Sequence, residues 1–263
     1  MRMIPLLFCL LLPGGLLAAN LAEEQRLSEQ LVGADLYGEA QWLTAGDVRF
    51  LTILTKTNAD VRLGAAILLH DAGDNADGPD VIGPLRRYLA LRGWDTLSLQ
   101  LPRPTHPTSA AERKAAVDLA PTRLKSAVDF LKTQQASPLA LVGHGLGAEM
   151  ALAYMAGNPD GAVRALVAIG LSAGTGDDDD PTIRALSELK YPLLDLFGDR
   201  DDDQVLASAE ARRGAAKRNG REGYRQDHVI GADHRFSGLQ ASLQQRVASW
   251  LKRVAEESGP STP

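Results

Sequence analysis

Three short segments of this 263-residue chain carry side chains that could move a proton or hold a charge. His234 lies in Val229-Ile230-Gly231-Ala232-Asp233-His234-Arg235-Phe236, an apolar run passing into a loop. Asp201 closes Leu193-Leu194-Asp195-Leu196-Phe197-Gly198-Asp199-Arg200-Asp201, another apolar run that ends in G-x-x-D. A histidine oriented by a carboxylate makes a general base, because its ordinary pKa lies near neutrality. Asp199 is the rival acid, since Asp199, Asp201, Asp202 and Asp203 form one acidic run in which G-x-x-D arises easily. The third segment is Gly143-His144-Gly145-Leu146-Gly147, between the apolar run Leu139 to Val142 and the helical stretch Ala148 to Tyr154. A tight turn from a buried strand into a helix lifts its central residue to the top of a sheet, where the helix N-terminus favours negative charge. In a G-x-S-x-G turn that residue is the attacking serine. Glycine can neither attack a carbonyl nor relay a proton. The residues therefore spell a candidate base, His234 with Asp201, beside a vacant nucleophile position at Gly145.

The elements that must position these groups are legible as eight apolar runs alternating with helical periods. Candidate strands are Gln41 to Thr44, Phe50 to Thr55, Ala65 to Leu69, Thr96 to Leu101, Leu139 to Val142, Ala165 to Ile169, Pro192 to Phe197 and Tyr224 to Ile230. Their runs are continuous rather than alternating, which is the pattern of strands covered on both faces in a parallel sheet. Val81, Leu85, Tyr88 and Leu89 share one helical face, as do Leu124, Val128 and Leu131. The clearest stripe, Leu239, Leu243, Val247, Trp250, Leu251 and Val254, predicts a last helix ending near Glu257. Pro121 is expected to start its helix, where a missing N–H costs nothing. The alternation predicts one doubly wound α/β domain, a mostly parallel sheet with helices on both faces.

Order along the chain then matters: elbow, acid and histidine follow one another as an α/β-hydrolase requires. His70-Asp71-Ala72-Gly73 stands where such proteins carry an oxyanion loop. Residues 40 to 257 resemble the α/β-hydrolase superfamily. The stretches LLHDAGDNADGPDVIGPLRRYLALRGWDTLSLQLP and VGHGLGAEMALAY are similar to a family of exported Gram-negative bacterial proteins of unknown function. The resemblance implies the fold and no established substrate. It also marks His70, Asp71, Ala72, His144 and Leu146 as the ligand-facing positions around the elbow. The N–H groups of Leu146 and Ala72 are the expected oxyanion donors, His144 an orienting residue and His70 an organiser of its loop. Two departures from the superfamily pattern fall at one centre: Gly145, and Asp71 where the loop usually has glycine. A carboxylate there opposes the charge an oxyanion hole stabilises. Ser172, after the sixth run, is the candidate displaced serine, against a plain role as a loop cap. His106 and His228 are read as structural or exposed.

Composition narrows the rest. With 28 Lys and Arg against 33 Asp and Glu and no basic stripe, nucleic acid is not an expected partner. Asp199, Asp201, Asp203 and Glu210 match calcium-loop positions, but Gln204 stands where that loop needs glycine, so no metal site and no cofactor are expected. Asp177 to Asp180 reads as a solvated acidic loop. Arg2, the apolar run Ile4 to Leu12, Pro13-Gly14-Gly15 and the small residues Ala18 and Ala19 read as a signal peptide over residues 1–22. The only cysteine, Cys9, lies inside it. The expected protein is then a periplasmic or secreted domain over 23–257 with a loose tail over 258–263, and no transmembrane segment once the signal is removed. The expected function is a catalytically degenerate hydrolase that binds a small molecule or an envelope protein at its former active-site cleft. The alternatives are an enzyme using a His234–Asp201 dyad without covalent catalysis, or an esterase with a displaced serine. Mass spectrometry of the exported protein should find an N-terminus at Asn20 or Glu23; an intact Met1 in the membrane fraction would exclude cleavage.

Overall fold

Each central strand splits its side chains between two separate apolar layers, which explains why the runs are continuous. Ala65, Ile67 and Leu69 of β3 (Gly64–Leu69) join one layer, and Ala66 and Leu68 the other. Leu139 and Leu141 of β5 (Leu139–His144) are divided from Ala140 and Val142 in the same way. The computed structural model describes residues 14–102, 109–157, 161–218 and 223–257. Within them β1 (Glu39–Ala45), β2 (Val48–Thr55), β3, β4 (Trp94–Leu99), β5, β6 (Val163–Ile169), β7 (Leu193–Arg200) and β8 (Tyr224–Asp233) form one sheet. Its order is β1-β2-β4-β3-β5-β6-β7-β8. The strands from β4 to β8 run parallel, while β2 is antiparallel to both β1 and β4.

Helices close both faces. The stripe Val81, Ile82, Leu85 and Leu89 around α2 (Ile82–Ala90) and the stripe Leu243 to Val254 of α7 (Gln240–Glu257) pack on one side. The opposite side carries α3 (Ala110–Thr133), α4 (Leu146–Gly157) and α5 (Pro181–Glu188). Each fully buried Leu or Val contributes roughly 1.5–3 kcal/mol relative to exposure, so these stripes hold the layers together.

One local expectation changes. Pro121 does not start its helix: α3 begins eleven residues earlier, with Ser109 and Glu112 forming a reciprocal capping box. Pro121 costs the helix one backbone hydrogen bond. The helix continues through it because Ala116, Ala120, Leu124, Ala127, Val128 and Leu131 are buried along one face. At the other end, α1 (Gly14–Val32) spans the expected 22/23 boundary. Beyond residue 22 the helix is tied to the domain. Glu24 accepts two hydrogen bonds from Arg123, at 2.6 and 3.0 Å, with both side chains buried, and Arg123 also donates to the Gln100 carbonyl. Residues 1–13 and the tail 258–263 lie outside the described residues. No helix among those described is long and apolar enough to cross a membrane.

The loops that carry Asp201 and His234 leave β7 and β8, and one buried ionic hub holds those strands to α6 (Asp203–Lys217). Asp195, inaccessible to solvent, accepts from Arg212 Nε at 3.0 Å, from Tyr224 Oη at 3.0 Å and from Gln226 Nε2 at 3.0 Å. Burial and the adjoining Asp195 charge keep the Tyr224 phenol protonated throughout the working pH range. Asp195→Ala strands a fully buried guanidinium and should cost about 3–5 kcal/mol in urea unfolding. A loss under about 1 kcal/mol would mean the hub does not join these elements.

Candidate functional site

The turn after β5 has the backbone of a nucleophile elbow. A Cβ at Gly143 would enter the backbone of Gly147 and Ala148, and a Cβ at Gly147 would enter the Leu69 and His70 carbonyls, so strand, turn and helix approach as only glycine permits. Gly145 has φ of +52°, and its N–H donates to the Ile169 carbonyl at 2.9 Å. That left-handed conformation is the one expected of the central residue at a strained elbow.

Asp71, carried out from the end of β3, fills the space above Gly145. A Cβ built on Gly145 would overlap Asp71 Oδ1 and Cγ, so an ordinary side chain at 145 and the observed carboxylate exclude one another. Oδ1 accepts from the Leu146 N–H at 2.7 Å. The expected oxyanion donor is therefore already occupied by a carboxylate, held at the N-terminus of α4 where negative charge is favoured. Oδ2 lies 3.2 Å from His234 Nε2, and His234 Nδ1 lies 2.5 Å from Asp201 Oδ1. The result is a continuous chain, Asp71–His234–Asp201, in which the imidazole sits between two carboxylates. Gly170 leaves room for it, since a Cβ there would come within 2.7 Å of His234 Cε1.

The rival acid stands apart: Asp199 accepts from the Gly231 N–H at 2.7 Å, outside this chain. Asp201 is steadied by the N–H groups of Gly198 and Asp202. His144 is buried beneath the cluster, its ring 4.6 Å from that of His234, and its Nε2 pairs with the His234 carbonyl at 2.9 Å. A carbonyl only accepts, so Nε2 carries the proton and Nδ1 a lone pair. His70 Nδ1 pairs with the Asp71 carbonyl and its Nε2 accepts from the Leu101 N–H, which ties the Asp71 loop to the end of β4. Ala72 is half-buried against the layer under α3 and α4. His228 is exposed on β8, and His106 lies outside the described residues.

Charge follows from this arrangement. Burial alone would lower the His234 pKa, but hydrogen bonds and charge from Asp201 and Asp71 push it up to about 10. Burial would raise both carboxylates; the hydrogen bonds and charge of His234, with backbone N–H groups, hold Asp71 and Asp201 below the ordinary range instead. Burial holds the His144 pKa below the ordinary imidazole value. Without another ligand, then, the centre is an imidazolium clamped by two carboxylates.

Beside it opens a cleft of about 790 Å³ between α3, α4 and α5. Its lining combines apolar residues, among them Val117, Leu152 and Ala185, with charged and polar ones that include Arg113, Glu149 and Ser172. Arg113 donates twice to Glu149, at 2.9 and 2.7 Å, and Ser172 Oγ donates to Glu149 at 2.9 Å. Glu149 sits in the first turn of α4, directly beyond Gly145. Arg113 and Glu149 carry no sequence signal, because they come from two helices 36 residues apart. Ser172 is thus held by a carboxylate already paired to arginine, away from any histidine contact.

The chain belongs to a family of proteins of unknown function, DUF3530, whose model matches residues 14–122 and 103–253. No curated protein matches the sequence. Among solved structures it is similar to a dienelactone hydrolase from Anabaena variabilis, at 22% identity and TM-score 0.65, covering 82% of this chain and 96% of that one. Est1E from Butyrivibrio proteoclasticus matches at 14% identity and TM-score 0.67, over 82% and 99% of the two chains. An α/β serine hydrolase without a lid from Xanthomonas campestris matches at 16% identity and TM-score 0.64, over 88% and 99%. At these identities the likeness shows the α/β-hydrolase fold alone.

The overlap between Asp71 and any side chain at 145 can be measured as a coupling. Gly145→Ser should destabilise by roughly 2–4 kcal/mol, combining overpacking with a left-handed backbone that serine resists. Asp71→Gly in the same chain should relieve part of that loss, giving a coupling energy above about 1 kcal/mol in a double-mutant cycle by urea unfolding. Additive effects would mean that the two residues do not compete for one space.

Proposed function

We propose that this protein is an exported, catalytically degenerate α/β-hydrolase that binds a ligand or partner at its former active-site cleft. One observation carries the reading: the Asp71 carboxylate takes both the side-chain space above Gly145 and the Leu146 N–H. Serine-type acyl transfer needs a hydroxyl in that space and a free donor at that N–H to stabilise the developing oxyanion. A fixed carboxylate denies both, and its own charge repels the oxyanion. The fold's strands, elbow and histidine loop remain as a frame for recognition.

The two enzymatic alternatives have weaker support. His234 as a general base needs a free lone pair at Nε2, and that atom faces Asp71 at 3.2 Å. Ser172 as a displaced nucleophile needs a base, and its partner is Glu149, whose lone pairs already receive Arg113. The neighbouring cleft suits a binding role, since its lining mixes apolar positions such as Val117, Leu152 and Ala185 with charged ones such as Lys114, Asp118 and Arg184.

A serine-directed fluorophosphonate probe should leave the purified protein unlabelled, and a panel of esters and thioesters should show no turnover that His234→Ala abolishes. Labelling of the unaltered protein would end the degenerate reading and direct attention to Ser172. The doubly substituted Gly145→Ser, Asp71→Gly protein should gain labelling, while Gly145→Ser alone should gain less. That ordering depends on Asp71 being the obstruction.

A further inference from the structure

We infer that the former active centre is a binding site for a divalent transition-metal ion, held by Asp71, His144 and His234 and exemplified by Zn²⁺. The inference rests on the reading that no nucleophile stands above Gly145, and it names the ligand class of that same centre. One ligand-capable atom from each of the three residues lies within 4.8 Å of the other two. Asp71 Oδ2 and His234 Nε2 are 3.2 Å apart. Two donors on a tetrahedral zinc with bonds of 2.0–2.1 Å stand about 3.3 Å apart, so this pair needs almost no movement to share an ion.

What distinguishes this cluster from a chance group is that each ligand is already oriented by its other atom. Asp71 Oδ1 is fixed by the Leu146 N–H, His144 Nε2 by the His234 carbonyl, and His234 Nδ1 by Asp201. Metal-bound histidines characteristically donate their second ring N–H to a carbonyl or carboxylate, and metal-bound carboxylates are held by donors. The atoms left over are Oδ2, Nδ1 and Nε2, one from each residue. An independent observation points the same way: His144 Nδ1 is buried and has no hydrogen-bond partner among the described residues. An unmet buried acceptor costs about 1–3 kcal/mol, and a metal ion would satisfy it.

Donor chemistry selects the ion. Two imidazoles and one carboxylate suit Zn²⁺, Co²⁺ or Ni²⁺ and disfavour Mg²⁺ and Ca²⁺, which require shells of oxygen. In binding, the ion takes the place of the proton on His234 Nε2, so positive charge stays between Asp71 and Asp201. Asp71 and His234 remain partly accessible, at 23% and 17% of their side-chain surface, so solvent reaches the cluster.

The test is a titration of chelator-treated full-length protein with Co²⁺. One equivalent should bind and produce the visible absorption of a low-coordinate cobalt site; Zn²⁺ should displace it and excess Mg²⁺ should not. Asp71→Asn and His144→Gln should each weaken binding by more than about tenfold, and Asp201→Asn, which alters only the partner of His234, by about 10–100-fold. Absence of binding, or binding untouched by all three substitutions, would overturn the inference. X-ray absorption of the zinc-loaded unaltered protein decides the matter even if a variant fails to fold. Two imidazole nitrogens in the shell are expected, and a shell of oxygen alone refutes the site. A protein that binds no metal and remains unlabelled by fluorophosphonate would defeat this inference and leave the proposed function standing; labelling would defeat the proposed function whatever the metal result.

Discussion

The centre of this protein turns on a volume that two groups cannot share. An α/β-hydrolase elbow projects its nucleophile into the space just above the strand-to-helix turn. Here Gly145 leaves that space empty and Asp71 enters it from the neighbouring strand end. Once there, the carboxylate satisfies the first N–H of α4 and draws His234 into a charged chain ending at Asp201. The same few ångströms therefore determine the space above Gly145, the pairing of the Leu146 N–H and the surroundings of the histidine. Reversing any one of these without the other two leaves a clash or an unpaired buried charge.

The scaffold is consistent with this local exchange because it leaves the fold's framework intact. The sheet order, the parallel run from β4 to β8 and the elbow backbone are those of the hydrolase fold. Rigid strands bring four loop ends to one edge, the general position for ligand sites in open α/β sheets. A binding role uses the same preorganisation that catalysis would: oriented donors, a fixed helix N-terminus and a partly dry centre. The cleft between α3, α4 and α5 adds a further concave surface, with Glu149 from the first turn of α4 in its lining.

What the amino-acid sequence determined by itself was whatever depends on local pattern. Continuous apolar runs identified the central strands such as β3, β5 and β6, because a strand covered on both faces has no polar side to interrupt it. The glycines at 143 and 147 marked the elbow, since close backbone approach excludes other residues there, and the chain order of acid and histidine matched the topology. Ends were less legible. Pro121 read as a helix start because proline favours that position, yet the buried face of α3 outweighed one lost hydrogen bond.

Only the tertiary structure decided the content of the site. From sequence, Asp71 was a charge near an oxyanion loop; that its carboxylate stands in the nucleophile's own space depends on how β3 and β5 lie side by side. The choice of Asp201 over Asp199 follows from the turn after β7, which sends one carboxylate to His234 and the other to the Gly231 N–H. Arg113 and Glu149 meet across two helices, and His144 reaches the His234 carbonyl, 90 residues away in the chain, while its Nδ1 has no hydrogen-bond partner among the described residues. Periodicity reports which face of an element is buried. It carries no information on which polar groups from distant segments share that burial, and at this site that sharing sets the chemistry.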